Sequence, residues 1–452
     1  MDRYGRLITP DLDGTFPASY PSNIIRRLTT VAPKHLSRRN FLKTGSLGTL
    51  AGVLASGERI PSAMASALET DFNGNPFPCA VIGFGEWGRE IAAAVEDIEE
   101  LKLAAICDNF PLMLRRAQRA HPQAARIADY REVLDNPDIV AVFVATATHE
   151  HKDIVLDALQ AGKHVYCEAP LAHTIDDARA IAQAGLAASN QIFQAGVLYR
   201  TEPQYRSVFG FVRSGAIGRP AMTRSQWHQK TSWRRSSSSA ERARALNWRL
   251  DRDLSLGLIG EVGIQQIDVS SWVLGQKPKA VSGFGGIMHW NDGRTVKDTV
   301  QAMIEYPGGE NMMFDATLVS GFDAAYDLLF GDDATIILRD GKAWMFKEVD
   351  APMLGWEVYA RKDRFYKETG IALLANATKL EALGQDPAAD DPNAKPPIWH
   401  ALKAFADNLI YGPFPAIAGP ELGYESTVVA IKANEAVQQG KRVEIPDDLY
   451  QL

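Results

Sequence analysis

From Cys79 to about Gly196 the chain alternates short apolar runs with amphipathic stretches of helical period, the pattern of a doubly wound parallel sheet. The runs Ala80–Ile82, Leu103–Cys107, Ile139–Ala145, His164–Cys167 and Ile192–Val197 are the expected strands. Ile139–Ala145 (IVAVFVA) is apolar without alternation, so it should be buried on both faces. Beyond Tyr199 longer runs of β character appear at Ala280–Trp290, Thr299–Tyr306, Asn311–Val319, Ala325–Phe330, Thr335–Leu338 and Ala343–Glu348, several separated by glycine turns. They predict one large, mostly antiparallel sheet. Arg234–Ala245, rich in Ser and Arg, reads as a surface loop. Residues 384–397, rich in Pro, Asp and Ala, read as a mobile insertion ahead of an amphipathic helix over Ile398–Tyr411. The fold class is therefore α/β, with an N-terminal Rossmann domain over 76–197 and a C-terminal α/β domain over 198–447 that carries a large, mostly antiparallel open sheet.

The first strand runs into Gly83, Gly85 and Gly88, and this GxGxxG turn has the spacing of a dinucleotide site. Gly83 permits the tight turn, Gly85 lets the backbone approach a pyrophosphate, and Gly88 lets the helix beginning near Glu86 pack on the strand. The pyrophosphate would sit at that helix's N-terminus, among Phe84, Glu86 and Trp87. Asp108 closes the second apolar run, 20 residues beyond Gly88, where its carboxylate would hold a ribose diol and repel a 2′-phosphate. NAD is favoured over NADP, although Arg115 and Arg116 follow closely. Thr146, after the fourth strand, joins the cofactor set.

Upstream, Ser37–Lys43 reads SRRNFLK, the pattern of a twin-arginine export signal, followed by a mildly apolar stretch over Thr44–Gly57 and small residues at 63–67 suited to signal peptidase. Residues 1–67 are accordingly set apart as a signal region. The expected location is periplasmic or secreted, with the twin-arginine translocase as a transient partner. That route carries folded proteins to a space without a nicotinamide pool, so the cofactor must be loaded beforehand, held tightly and regenerated in place.

Composition narrows the partners. Residues 1–67 carry nine basic and four acidic residues, which leaves a net charge of −12 on the remainder and disfavours nucleic acid and anionic membrane. No apolar run has membrane-spanning length. The three cysteines, Cys79, Cys107 and Cys167, lie in or beside expected strands and make no disulfide or zinc framework, so no metal is expected.

Several further segments resemble the Gfo/Idh/MocA oxidoreductases: ATATHEH at 145–151, GKHVYCEAPL at 162–171, YRTEP at 199–203, NWR at 247–249, Gly257–Asp268 and ANEAVQQGKRVEI at 433–445. The resemblance covers about residues 76–447 and implies a sugar or polyol bound between the two domains, with an open sheet that often serves oligomerisation, here a homo-oligomer. It implies that Glu168 contacts the nicotinamide ribose or positions its loop, that Pro170 is a candidate cis-proline, and that His151 shapes the nicotinamide pocket or caps a helix. It places Trp248 and Arg249 where the family closes over cofactor or substrate.

The chain departs from the family where its chemistry lies. The family's lysine between glutamate and proline is Ala169 here, and in GLIGEVGIQQID the family's aspartate is Glu261, its histidine is Gln265, and Asp268 is kept. Neither Ala nor Gln can act as a base near neutral pH. Glu261, flanked by Leu258, Ile259, Val262 and Ile264, is the leading replacement, or else a helix-bound structural carboxylate. His228 and Asp268 are the other catalytic candidates, His228 sharing a strand face with Lys230. Tyr199, Trp248, Arg249 and Gln265 form the candidate substrate set, with core packing open for each aromatic. The expected function is an exported NAD(P)-dependent oxidoreductase on a sugar, polyol or glycoside. A glycoside hydrolase or lyase working by oxidation, elimination and reduction, and a non-catalytic nucleotide-binding relative, are the alternatives.

Overall fold

The computed structural model describes residues 74–237, 239–358, 360–365, 368–375 and 394–452. The twin-arginine motif, the stretch after it, the cleavage sites and most of the expected 384–397 insertion lie outside them.

Six parallel strands build the first domain: β1 (Phe77–Ile82), β2 (Leu101–Cys107), β3 (Ala125–Ile127), β4 (Ala141–Val144), β5 (His164–Glu168) and β6 (Phe193–Gly196), in the order β3-β2-β1-β4-β5-β6. Helices α1 (Glu86–Glu96), α2 (Pro111–Ala120), α3 (Tyr130–Asp135), α4 (His151–Gln160) and α5 (Ile175–Ala187) make the crossovers. All four residues of β4 are buried, because helices cover both sides of the sheet. Alternation splits the core: Cys79, Val81, Phe143 and Tyr166 face one layer, and Ala80, Ile82, Val142 and Cys167 the other. The strand order reverses between β1 and β4, which leaves a crevice beyond their carboxyl ends.

The second domain adds α6 (Pro203–Arg213), β7 (Pro220–His228), α7 (Ala240–Leu246), α8 (Gly257–Glu261) and α9 (Ile264–Leu274). Its sheet continues with β8 (Ala280–Gly286), β9 (Thr299–Glu305), β10 (Asn311–Thr317), β11 (Ala325–Gly331), β12 (Ala334–Arg339), β13 (Lys342–Lys347), β14 (Lys362–Phe365) and β15 (Glu368–Ala372). Helices α10 (Pro397–Tyr411) and α11 (Pro420–Gln439) and strand β16 (Arg442–Glu444) complete the chain. The ten strands run β14-β15-β13-β12-β11-β7-β10-β9-β8-β16, with β7·β10 the single parallel pairing among those described. On β10, Met312, Phe314 and Ala316 turn toward the helices, whereas Met313 lies exposed on the other face with Met303 of β9 and Phe284 of β8. One face of the sheet is therefore packed and the other open.

Both C-terminal helices reach back to the first domain. Helix α10 sends Ile398, Leu402 and Phe405 into the nucleotide-domain core, where Phe405 meets Phe143 edge-on at 5.5 Å. Helix α11 packs on β8 and on α5.

Candidate active site

The glycine turn is built as its chemistry requires. Gly83 has φ +94°, and a Cβ there would stand 2.7 Å from the carbonyl oxygen of Ala145. A Cβ on Gly88 would fall 1.8 Å from the Gly83 oxygen, so this glycine sets how closely α1 packs on β1. Around a Cβ on Gly85 there is nothing within 4 Å: that side of the loop opens into the crevice. Gly85 is also the N-cap of α1 and supplies no capping side chain, leaving the helix's first N–H groups directed at the crevice. Asp108 is held by N–H donors from Phe84 to Oδ2 and from Phe110 to Oδ1, both at 2.8 Å. Burial pushes its carboxyl above the usual range, against those two bonds and Arg242.

The crevice has a volume of about 730 Å³. Gly83, Gly85, Glu86, Trp87, Asp108 and Thr146 line it, while the side chain of Phe84 is buried in the core and contributes only backbone. The buried Oγ1 of Thr146 has no partner among the described residues. An uncapped helix end, an open glycine, a fixed carboxylate and an unpartnered buried hydroxyl fit a dinucleotide.

The other wall comes from the second domain. The segment from Trp233 to Arg249, of which Arg234–Ala245 was expected as a surface loop, lies over the crevice and includes α7. Asn247 explains how so polar a segment keeps one shape: its Oδ1 accepts from Arg235 N at 2.7 Å, and its Nδ2 donates to Arg235 O at 2.9 Å and Ala243 O at 2.7 Å. Arg235 pairs with Glu86 across the crevice, and the Arg242 guanidinium stacks 3.9 Å over Phe110, beside Asp108. Sequence reasoning missed Arg235, Arg242 and the role of Asn247. The one local signal was the asparagine before Trp248-Arg249.

Trp248 and Arg249 line the crevice, with the Arg249 guanidinium 4.9 Å from the Trp248 ring and 5.9 Å from that of Trp233. His149 lies edge-on to Trp248 at 5.9 Å and to His173 at 6.0 Å. Burial holds both histidines below the usual imidazole range, and neither Nδ1 has a partner among the described residues. His151 is fully buried: Nδ1 stands 3.2 Å from the Pro170 and Leu171 carbonyls and Nε2 3.3 Å from that of Thr146. It ties together two loops flanking the crevice rather than facing it, and burial lowers its pKa to about 4. The Ala169–Pro170 peptide, in the loop that carries Pro170 and Leu171, is cis.

The proposed acid–base groups have distinct fates. Glu261 stands where the domains meet, its Oε2 accepting from Thr148 Oγ1 at 3.0 Å and its Oε1 from Ser255 Oγ at 3.1 Å and Leu256 N at 2.9 Å. Burial raises its pKa while Arg249 and these donors oppose the rise. Asp268 is not brought to the crevice. Arg200 grips it in a two-pronged pair at 2.7 and 2.9 Å, at a separate cavity of about 340 Å³. Gln265, one helical turn earlier, spends its amide on backbone, accepting from Leu198 N and donating to Gly196 O, each at 2.9 Å. Together they fasten α9 to the segment after β6.

His228 lies on the open face of the sheet, bound to Asp315 at 2.5 Å and to the Phe322 carbonyl at 3.2 Å, because the neighbouring Trp227 takes the packed face. Tyr199 stacks on Tyr205 at 4.2 Å in the core beneath α6, away from the crevice. Glu168, at the end of β5, has the Trp87 indole, the Tyr166 hydroxyl, the Ala169 N–H and the Arg249 guanidinium around its carboxyl, outside the crevice lining.

Comparison with known proteins agrees with this geometry. The GFO/IDH/MocA model of an oxidoreductase family with an NAD-binding Rossmann fold matches residues 77–196, and the model of the GFO/IDH/MocA C-terminal domain matches 205–341. Levoglucosan dehydrogenase from Pseudarthrobacter phenanthrenivorans is 30% identical over 172 residues, 38% of this chain and 42% of that protein. Inositol 2-dehydrogenase from Burkholderia multivorans is 30% identical over 198 residues, 43% of this chain and 54% of that protein. The chain thus spans about half the length of these curated relatives. The structure of an oxidoreductase domain protein from Kribbella flavida superposes with a TM-score of 0.67 at 22% identity, covering 82% of this chain and all of the other, a likeness of fold.

Proposed function

The chain belongs to the GFO/IDH/MocA oxidoreductase family, and from that premise we propose that it is an exported NAD-dependent enzyme acting on a sugar, polyol or glycoside, with its cofactor retained and regenerated in the site. The observation that carries this reading is the crevice closed from both sides. The glycine loop and Asp108 form one wall, and the Asn247-braced segment with Arg235, Trp248 and Arg249 forms the other. Gly85 and the α1 N-terminus would hold the pyrophosphate, Asp108 the adenosine ribose, and Thr146 and Trp87 the nicotinamide end. When bound, the nicotinamide supplies a hydride acceptor. The chain's own work is to orient the substrate against Trp248 and Arg249 and to move a hydroxyl proton.

Export through the twin-arginine route, read from SRRNFLK at 37–43, supports retention because cofactor lost outside the cytoplasm cannot be replaced. Retention in turn favours redox-neutral turnover, in which hydride returns to a second substrate or to the product. Oxidation that acidifies a neighbouring C–H of a glycoside and permits elimination before the hydride returns is the second form of that cycle. Mixing purified enzyme with a panel of polyols, aldoses and glycosides at substoichiometric ratio should produce a transient rise in bound-nicotinamide absorbance at the reduced-cofactor band. Product analysis separates oxidation from cleavage. No spectral response to any member of the panel, with cofactor present, would contradict the proposal.

The open sheet face, with Phe284 60% and Met313 42% exposed, supports a homo-oligomer in which a second copy covers it. Light scattering on a Phe284→Asp, Met313→Asp double variant should show loss of the assembly.

A further inference from the structure

The segment that leaves β4, where the strand order reverses, carries His149 into the crevice wall. Among the described residues lining the crevice, His149 is the one imidazole. Its ring is held by two edge-on contacts, to Trp248 at 5.9 Å and to His173 at 6.0 Å, rather than by hydrogen bonds. Nδ1 is sealed from solvent without a partner among the described residues, whereas Nε2 is neither sealed nor bonded to them. The ring is therefore fixed while one nitrogen stays available. The acids of the wall and its tyrosine are placed differently. Glu86 is paired with Arg235, Asp108 and Asp129 each accept backbone N–H bonds, and the Tyr130 hydroxyl donates to Asp157 at 2.7 Å. Glu150 stands in the field of Asp108 and Arg242, and Asp153 in that of Tyr130, both toward the adenosine end. His149 instead adjoins Trp248, against which the reading above orients the substrate.

We propose that His149 is the proton-handling residue of this enzyme, its Nε2 taking the hydroxyl proton of a substrate seated against Trp248 and Arg249. The inference rests on the oxidoreductase reading above. In the step, the substrate's O–H bond breaks and its proton forms the Nε2–H bond of an imidazolium. The carbinol C–H bond breaks with its electron pair passing to oxidised nicotinamide, and a C=O bond forms: the alcohol is oxidised by two electrons and the nicotinamide reduced by two. On return of the hydride His149 gives the proton back, so a retained cofactor needs no outside acid.

The surroundings match the task. Burial holds His149 below the usual imidazole range, so the ring is neutral at pH 7 and able to accept a proton. Asp251, which follows the Trp248–Leu250 turn, opposes that shift and favours the imidazolium once it forms. The other titratable groups that share its field are His173, between β5 and α5, and the fully buried His151 of α4; Trp248 offers a neutral ring, and Thr148 beside it is bonded to Glu261.

The test uses the holoenzyme. In His149→Gln, cofactor content should be unchanged, kcat/KM should fall by roughly 10²–10⁴, and the ascending limb of kcat/KM, with its midpoint below the ordinary imidazole value of 6.5, should disappear. Added imidazole should restore turnover to His149→Ala, an effect that a merely structural ring would not give. Asp251→Asn, which removes the charge favouring the imidazolium, should move the limb to still lower pH. Independently of turnover, nitrogen-15 NMR of histidine-labelled protein should show an imidazole titrating below 6.5 that is absent from His149→Gln. Retention of the limb in His149→Gln, no rescue of an NAD-loaded His149→Ala by imidazole, or cofactor loss as the sole effect of the substitution would each overturn the assignment while leaving the parent reading in place. A wild-type protein without bound or bindable NAD would refute the parent reading, and this assignment with it.

Discussion

Two glycines three residues apart should respond in opposite ways to the same added methyl group. At Gly85, φ is −67° and ψ −158°, a conformation any residue adopts, and the new Cβ meets no protein atom within 4 Å. Gly85→Ala should therefore leave the free protein's stability within about 0.5 kcal/mol of wild type. The methyl projects into the crevice where the pyrophosphate must approach backbone, and overpacking of that kind costs about 1–3 kcal/mol. Taking about 2 kcal/mol, NAD affinity falls roughly 30-fold. At NAD equal to 100 times the wild-type Kd, ligand stabilisation would drop from about 2.7 to about 0.9 kcal/mol. At Gly88 the methyl lands 1.8 Å from a backbone oxygen, so α1 must lift from β1 and the free protein itself should lose about 3 kcal/mol or more. Thermal unfolding with and without NAD, with calorimetric titration of Gly85→Ala, reads both effects. Unchanged NAD affinity in Gly85→Ala, or equal destabilisation of the two free variants, would refute the reasoning.

Asn247→Ala removes three hydrogen bonds from the closing segment and should speed cofactor dissociation about tenfold, measured by chase with excess NADH analogue. Asp108→Ala should weaken NAD and narrow its preference over NADP by about 1–3 kcal/mol, read by titration with each nucleotide. His151 is held neutral in the fold with a pKa of about 4, so the unfolded chain binds the extra proton first and stability falls as pH drops from 6.5 to 4. Glu168, raised to about 7, has the opposite sign: its burden on stability is present above 7 and disappears as pH falls to 4.5. Each amounts to at most about 3 kcal/mol, so the wild-type profile should be nearly flat between 4.5 and 6.5. Glu168→Gln should be more stable than wild type at pH 8 and show the acid-labile slope of His151; urea unfolding across pH checks both.

What could be read from the chain was what local geometry enforces. The tight turn at Gly83 and the unbroken run in β4 are set by backbone close by, and the structure gives Gly83 its positive φ and buries all of β4. The closing segment was not legible, because a Ser- and Arg-rich stretch looks solvent-exposed until Asn247 binds Arg235 and Arg235 meets Glu86, 149 residues away. Strand alternation put His228 and Lys230 on one face without saying which face the helices would cover. Gln265 and Asp268 have polar side chains in a catalytic segment, yet each is used by a partner near Leu198–Arg200 that only tertiary structure brings into reach. The partner of the α10 helix was equally hidden: its apolar stripe was plain, but the core it completes belongs to the other domain.

The central claim is that the crevice between the glycine loop and the Asn247-braced segment encloses a resident NAD. Purifying the protein at neutral pH without added nucleotide, denaturing it and quantifying the released dinucleotide by mass spectrometry tests this directly. Close to one NAD per folded chain and little NADP is the expected result. A folded protein that releases no dinucleotide, and that gives no binding isotherm when NAD is added back, would contradict it.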